Sequence, residues 1–222
     1  MTEFKFANKS TKERIKEIVV TAMNIYMSRL ISGWYEPGLE ATFQHNISLI
    51  LNELLALNTN CIEESFSLIL EKNFPLNSKN DYVDIAIKHK NESVERFYLI
   101  ELKFKKTTDS APDLGVIESY IDMYSLEQPC ENNASVDGAF FIFLTDSQIY
   151  TTQPRATGTR AELPMHEGAV ISADKIYTVT GATAKKSCDS YPNGFMFKRS
   201  RTIDYTSVIA KNKEYWFFIE EF

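Results

Sequence analysis

DYVDIAIKHKNESVERFYLIELKFKK, residues 81–106, decides how the chain is read. Tyr82 to Lys88 and Phe97 to Phe104 are rich in aromatic, aliphatic and β-branched residues, whereas His89-Lys90-Asn91-Glu92-Ser93 carries turn and solvent chemistry. The stretch therefore predicts a β-hairpin with His89 in its turn. Side chains alternate along a strand, so Glu101 and Lys103 fall on one face, about 7 Å apart. Leu99, Ile100, Leu102 and Phe104 surround them with apolar groups. Charge at the edge of a core raises the free energy unless something pairs it.

The arrangement of Asp84, a turn and Glu101-Leu102-Lys103 resembles the bipartite signature of the PD-(D/E)XK nuclease superfamily, which includes restriction-endonuclease-like and DNA-repair enzymes. The resemblance implies that Asp84 and Glu101 bind Mg²⁺ or Mn²⁺. It also implies that Lys103 positions or activates the attacking water and offsets charge at the phosphate. The chemistry is sound in itself, because Mg²⁺ prefers carboxylate oxygens and polarises a phosphodiester while generating a nucleophile. Val83 stands where the family often has Pro. A surface ion pair between Glu101 and Lys103 is the plain alternative for so short a motif.

The elements on either side follow the family's αβββαβ order over Leu39 to Asp146. A helix over about Leu39–Leu57 has Phe43, Ile47, Ile50, Leu51 and Leu54 as its apolar stripe, with Glu40 within one turn of it. The family often has a helical Glu before the first core strand, so the resemblance implies that Glu40 supports the metal site; favouring the helix N-terminus through the dipole is the alternative. Cys61 to Glu71 reads as the first core strand, with Phe66, Leu68 and Leu70 on one face. Asp81 and Asp84 both stand in the next strand, on opposite faces by parity. Asp84 is preferred as the metal-binding acid because it lies beside Glu101, and Asp81 is held in reserve. An amphipathic helix follows from Pro112, with Leu114, Ile117, Tyr120, Ile121, Tyr124 and Leu126 apolar, and ends near Gln128-Pro129. AFFIFLT, residues 139–145, is apolar without alternation, as in a strand buried on both faces.

The outer segments are a helix over about Ser10–Leu30, then Trp34 and Tyr35, which are expected to pack between two helices. The expected organisation is one domain over 1–222: an N-terminal helical extension at 1–38, the nuclease-like core at 39–146 and a β-rich extension at 147–222. The fold class is α/β, a central mixed sheet flanked by helices. Gln148 to His166 lacks a period and reads as a long loop. Strands are expected within Gly168–Thr180, Phe195–Arg199 and Tyr215–Ile219, either extending the sheet or building a small second one. Arg155, Arg160, Lys185, Lys186, Lys198, Arg199 and Arg201 are the cationic candidates for DNA contact, with solvated surface charge as the alternative.

The 222 residues carry a formal charge of −6, which argues against a protein that coats DNA indiscriminately but leaves room for a local basic surface. Cys61, Cys130 and Cys188 lack CxxC spacing, and His45, His89 and His166 do not cluster, so neither a zinc site nor a disulfide framework is indicated. The N-terminal residues lack a secretory apolar core and no run approaches a membrane span, so a cytoplasmic protein is expected. The reading is a Mg²⁺-dependent DNA nuclease, possible as a homodimer. The competing reading is a nuclease-like fold without chemistry that binds nucleic acid or serves as a scaffold.

Overall fold

A computed structural model describes residues 9–36, 38–59, 62–75, 80–181, 191 and 193–222, with Pro75, Asn80 and Asp81 in backbone only. Lys185, Lys186, Cys61 and Cys188 lie outside the described residues, as does the side chain of Asp81. Helix α1 (Thr11–Ile31) starts at a capping box: the Ser10 hydroxyl accepts the Glu13 N–H, and the Glu13 carboxylate accepts the Ser10 N–H at 2.8 Å. After α2 (Glu40–Leu57) come β1 (Glu64–Pro75), β2 (Asn80–Asn91) and β3 (Val94–Lys105). Helix α3 (Pro112–Asn132) and β4 (Val136–Thr145) complete the helix, three strands, helix and strand. Beyond them lie the short α4 (Gln148–Thr151) and α5 (Thr159–Glu162), then β5 (Val170–Ile171), β6 (Ile176–Tyr177), β7 (Phe195–Met196) and β8 (Arg201–Thr202). Strands β9 (Thr206–Ala210) and β10 (Lys213–Glu221) close the chain.

Six strands form one mixed sheet in the order β1-β2-β3-β4-β10-β9. The β1-β2-β3 meander is antiparallel, β4 runs parallel to β3, and β10 returns antiparallel on β4. A parallel neighbour needs a crossover, and α3 supplies it. Helices α1 and α2 cover one face through Ile15, Met23, Phe43, Ile47 and Leu51 over Ile85, Ile87, Ile100 and Leu102. Helix α3 and the C-terminal segments cover the other through Tyr120, Met123, Phe195 and Phe197 with Leu99, Phe141 and Phe143. Strand β4 is buried on both faces from Gly138 to Thr145, which explains its unbroken apolar run. The C-terminal third both extends the main sheet, through β9 and β10, and forms two two-stranded ladders, β5-β8 and β6-β7. The loop expected over Gln148–His166 contains α4 and α5.

Several expectations are corrected. His89 is not in the turn: β2 runs to Asn91, the turn is Glu92-Ser93, and His89 is buried with Nε2 2.9 Å from Glu64 Oε1. Arg14 reaches the same carboxylate from α1, with Nη1 3.0 Å from Glu64 Oε2. A buried acid is thereby matched to cationic and polar partners that tie α1 to the β1-β2 pair. Trp34 does not pack between helices and is 78% exposed; Tyr35 does pack, its ring 5.4 Å from that of Tyr26. Strand β1 extends four residues past Glu71, and Leu70 is exposed rather than part of an apolar face. Helix α3 continues through Pro129, whose carbonyl accepts the Asn133 N–H at 2.9 Å. Among the described residues no helix is long and apolar enough to cross a membrane.

Candidate active site

The site forms where β2 leaves β3. Their ladder pairs Asn91 with Val94 at the hairpin and ends at Ile85 with Ile100. Asp84 and Glu101 would have been the next pair. Instead the Asp84 Oδ2 accepts the Leu102 N–H at 2.7 Å, and Glu40 Oε2, from the first turn of α2, accepts the Phe104 N–H at 2.8 Å. Two main-chain donors that a continuing strand would have taken are thus held by carboxylates. Leu102 and Phe104 bury their side chains against α1 and α2. Alternation then turns Glu101, Lys103 and Lys105 toward α3.

Strand β1 is irregular at the same level. Glu71 stands opposite Asp84, between the pairs Leu70–Ile85 and Lys72–Val83, with φ of 47°. A non-glycine residue in the left-handed region costs about 1 kcal/mol or more. Gln44 of α2 bridges the irregularity, its Nε2 donating to Glu71 Oε1 and to the Asp84 carbonyl, each at 2.8 Å. Faces change along β2 here: Val83 packs in the core on the α3 side, whereas Ile85 and Ile87 pack under α1 and α2.

Asp84 and Glu101 stand near enough for the charge of each to act on the other, so a proton on one of them relieves their repulsion. Burial pushes the Asp84 carboxyl up to about 6, and the Leu102 N–H only partly opposes it. Glu101 is raised well above the usual carboxylate range, first by burial and then by the charges of Asp122 and Asp84. The pair resembles two carboxyls that cannot both ionise without a compensating cation.

Lys103 does not pair with Glu101. Its Nζ lies 2.8 Å from Asp122 Oδ2 of α3 and 3.9 Å from Glu40 Oε1. Burial alone would lower its pKa, but Asp122 and Glu40 more than offset that, so the group is held as an ammonium. One step along β3, Lys105 Nζ lies 2.6 Å from Glu118 Oε2, one helical turn before Asp122. The i, i+2 spacing of a strand and the i, i+4 spacing of a helix therefore bring two lysines onto two acids. Asp122 is absent from the sequence-predicted site. The signal that points to it is Glu118 and Asp122 at i, i+4 on a helix that must cross beside β3.

The predicted basic residues are scattered. Arg155 is exposed in the segment between α4 and α5. Arg160 lies beside the first turn of α3, with Nε 3.3 Å from Asp113 Oδ1 and Nη1 donating to the Ile149 carbonyl at 2.9 Å. Lys198 and Arg199 are exposed, and the Lys198 main-chain N–H is anchored on Glu127 at 3.0 Å. Arg201 is not a surface cation: at 5% exposure it lies 2.7 Å from Glu127 and 3.2 Å from Glu220, with its guanidinium over the Phe222 ring. Buried Glu127 and half-buried Glu220 are its partners, and short sequence windows do not reveal partners so distant along the chain.

The donors around Asp84 and Glu101 are carboxylate oxygens, the set a hard divalent cation takes. Among the described residues no three His, Cys, Asp or Glu side chains are pre-arranged as metal ligands. The Lys103 ammonium stands between Asp122 and Glu40. The Asp84–Glu101 pair fits Mg²⁺ or Mn²⁺ on donor chemistry, and both carboxyls would have to be ionised to hold such an ion. No family model, curated protein or solved structure matches the chain.

Proposed function

We propose that this protein is a Mg²⁺- or Mn²⁺-dependent nuclease that hydrolyses phosphodiester bonds in DNA, with a restriction-endonuclease-like αβββαβ core running from α2 to β4. One observation carries the reading: two half-buried acids, Asp84 and Glu101, stand where β2 leaves β3, with an ammonium group two residues along on the same face. Four carboxyl groups, Glu40, Asp84, Glu101 and Asp122, converge around one lysine, an excess of negative charge that a divalent cation and a cationic phosphate grip would balance. Capping of β3 explains Asp84 and Glu40 as structural groups; it explains neither Glu101 nor Asp122.

Asp84 and Glu101 would hold the cation, which lowers the pKa of a bound water and polarises the phosphoryl oxygens. Lys103, kept charged, orients that water and stabilises negative charge developing at the phosphate. Glu40 fixes β3 through Phe104 and flanks Lys103. Arg160, beside the first turn of α3, and exposed Arg155 are the cations proposed for backbone contact. A cytoplasmic homodimer is the form proposed, as a single site cuts only one strand.

The test is incubation of purified protein with supercoiled and linear DNA, with Mg²⁺, Mn²⁺ or EDTA, beside a Glu101→Ala, Lys103→Ala double variant. The expected result is metal-dependent cleavage lost in the variant; discrete fragments would define a site-specific endonuclease. Equal cleavage by wild type and variant, or none by wild type with either metal, rejects the reading.

A further inference from the structure

A lysine two residues from Glu101 on the same strand face has the length to swing onto the Asp84–Glu101 pair. Such an ion pair would occupy the very oxygens proposed for the cation. The structure places the ammonium elsewhere, at 2.8 Å from Asp122 Oδ2 and 3.9 Å from Glu40 Oε1. Asp122 stands on α3 beside buried Met123, with buried Tyr120 and Leu126 on the same helix, and its short side chain keeps the carboxylate at the helix surface. Asp122 itself is half-buried, its side chain 21% exposed, and an ion pair in such a setting contributes little to folding. The neighbouring pair, Lys105 with Glu118, holds the next rung of β3 against the same helix at 2.6 Å.

We infer that Asp122 is a positioning residue, which holds the Lys103 ammonium off the Asp84–Glu101 pair so that a divalent cation and the ammonium occupy adjacent places in one site. The inference rests on the nuclease reading and adds to it the residue that partitions the site. It predicts an unusual pattern: loss of Asp122 weakens cation binding through Lys103, although Asp122 is not itself a ligand.

The experiment is calorimetric titration of MnCl₂ into the protein without nucleic acid, for wild type, Asp122→Asn, Lys103→Met and the double variant. Asp122→Asn is expected to weaken Mn²⁺ binding at least tenfold, because the released ammonium moves onto the carboxylates. Adding Lys103→Met is expected to restore affinity to within threefold of Lys103→Met alone. That rescue is not expected of a residue that merely holds the fold. Unchanged affinity in Asp122→Asn overturns the inference. So does a double variant that binds tenfold more weakly than Lys103→Met, which would make Asp122 a ligand. If Asp122→Asn does not fold, Asp122→Ser, which releases the ammonium in the same way, takes its place in the same four-protein comparison. Absence of both Mn²⁺ binding and cleavage in wild type would instead sink the nuclease reading, and the inference with it.

Discussion

The Asp84 carboxylate takes the main-chain N–H of Leu102 at 2.7 Å, so one side chain both closes the β3 edge and supplies half of the acid pair. Its two roles separate by substitution. Asp84→Asn keeps an acceptor for Leu102 and should hold stability within about 1 kcal/mol of wild type while abolishing cleavage. Asp84→Ala leaves a buried N–H without its partner and should cost about 1–3 kcal/mol more than the Asn variant. Urea unfolding of the two proteins, run beside the plasmid assay, checks both; equal stability would mean that another group takes over the Leu102 N–H.

The raised carboxyls set a pH dependence. Asp84 binds its proton more tightly folded, at about 6, than it would in the unfolded chain, and Glu101 is raised as well. More protons bound in the folded state means that stability falls as pH rises. The stabilisation is present below about pH 4 and is lost as pH climbs through about 6, roughly 2–3 kcal/mol for Asp84. Thermal melting without metal should accordingly give a lower Tm at pH 7.5 than at pH 5. Mn²⁺ needs the ionised pair, so the rise in Tm that it produces should be larger at pH 7.5 than at pH 5.

Glu101→Gln removes the second ionisable group and leaves a side chain able to donate to Asp84. The metal-free protein is expected to be as stable as wild type or up to about 2 kcal/mol more so at pH 7.5. Cleavage should fall by about 10³-fold or more, an effect of the size seen when a key electrostatic group is removed. Denaturation curves and initial rates on one preparation measure both; a destabilised Glu101→Gln would make Glu101 a structural residue.

Arg201 and Arg155 should respond in opposite ways. Arg201→Ala strips buried Glu127 and half-buried Glu220 of their cation and should cost about 3–5 kcal/mol. Arg155→Ala should leave the melting temperature unchanged and weaken DNA binding. If Arg155 contacts one phosphate, the slope of log affinity against log salt should shrink by about 1. A catalytically dead protein and fluorescence anisotropy at several salt concentrations provide the measurement.

Much of this architecture is legible in the residue pattern, for physical reasons that also mark the limit. Period-2 alternation puts Glu101 and Lys103 on one face, and Ser10 with Glu13 announces the start of α1. The unbroken apolar run in β4 reports burial on both sides. Partners far apart in sequence leave no such trace: Arg14 with Glu64 and Glu127 with Arg201 each look like solvated charges until the fold joins them. His89 misleads because a hairpin turn and a strand end share the same residue types. Trp34 misleads because an aromatic between two helices usually packs.

The change of face along β2 leaves Val83 in one core and Ile85 in the other, with Asp84 between them. Substitution at Val83 will be felt by the aromatic layer around α3, and substitution at Ile85 by the layer under α1 and α2. The acid belongs to neither. Its carboxylate, held by the Leu102 N–H, can therefore gain or lose a proton, or accept a new neighbour, without repacking either hydrophobic layer. Ionisation at this one point bears on stability through charge, while the packing of both layers stays as it is.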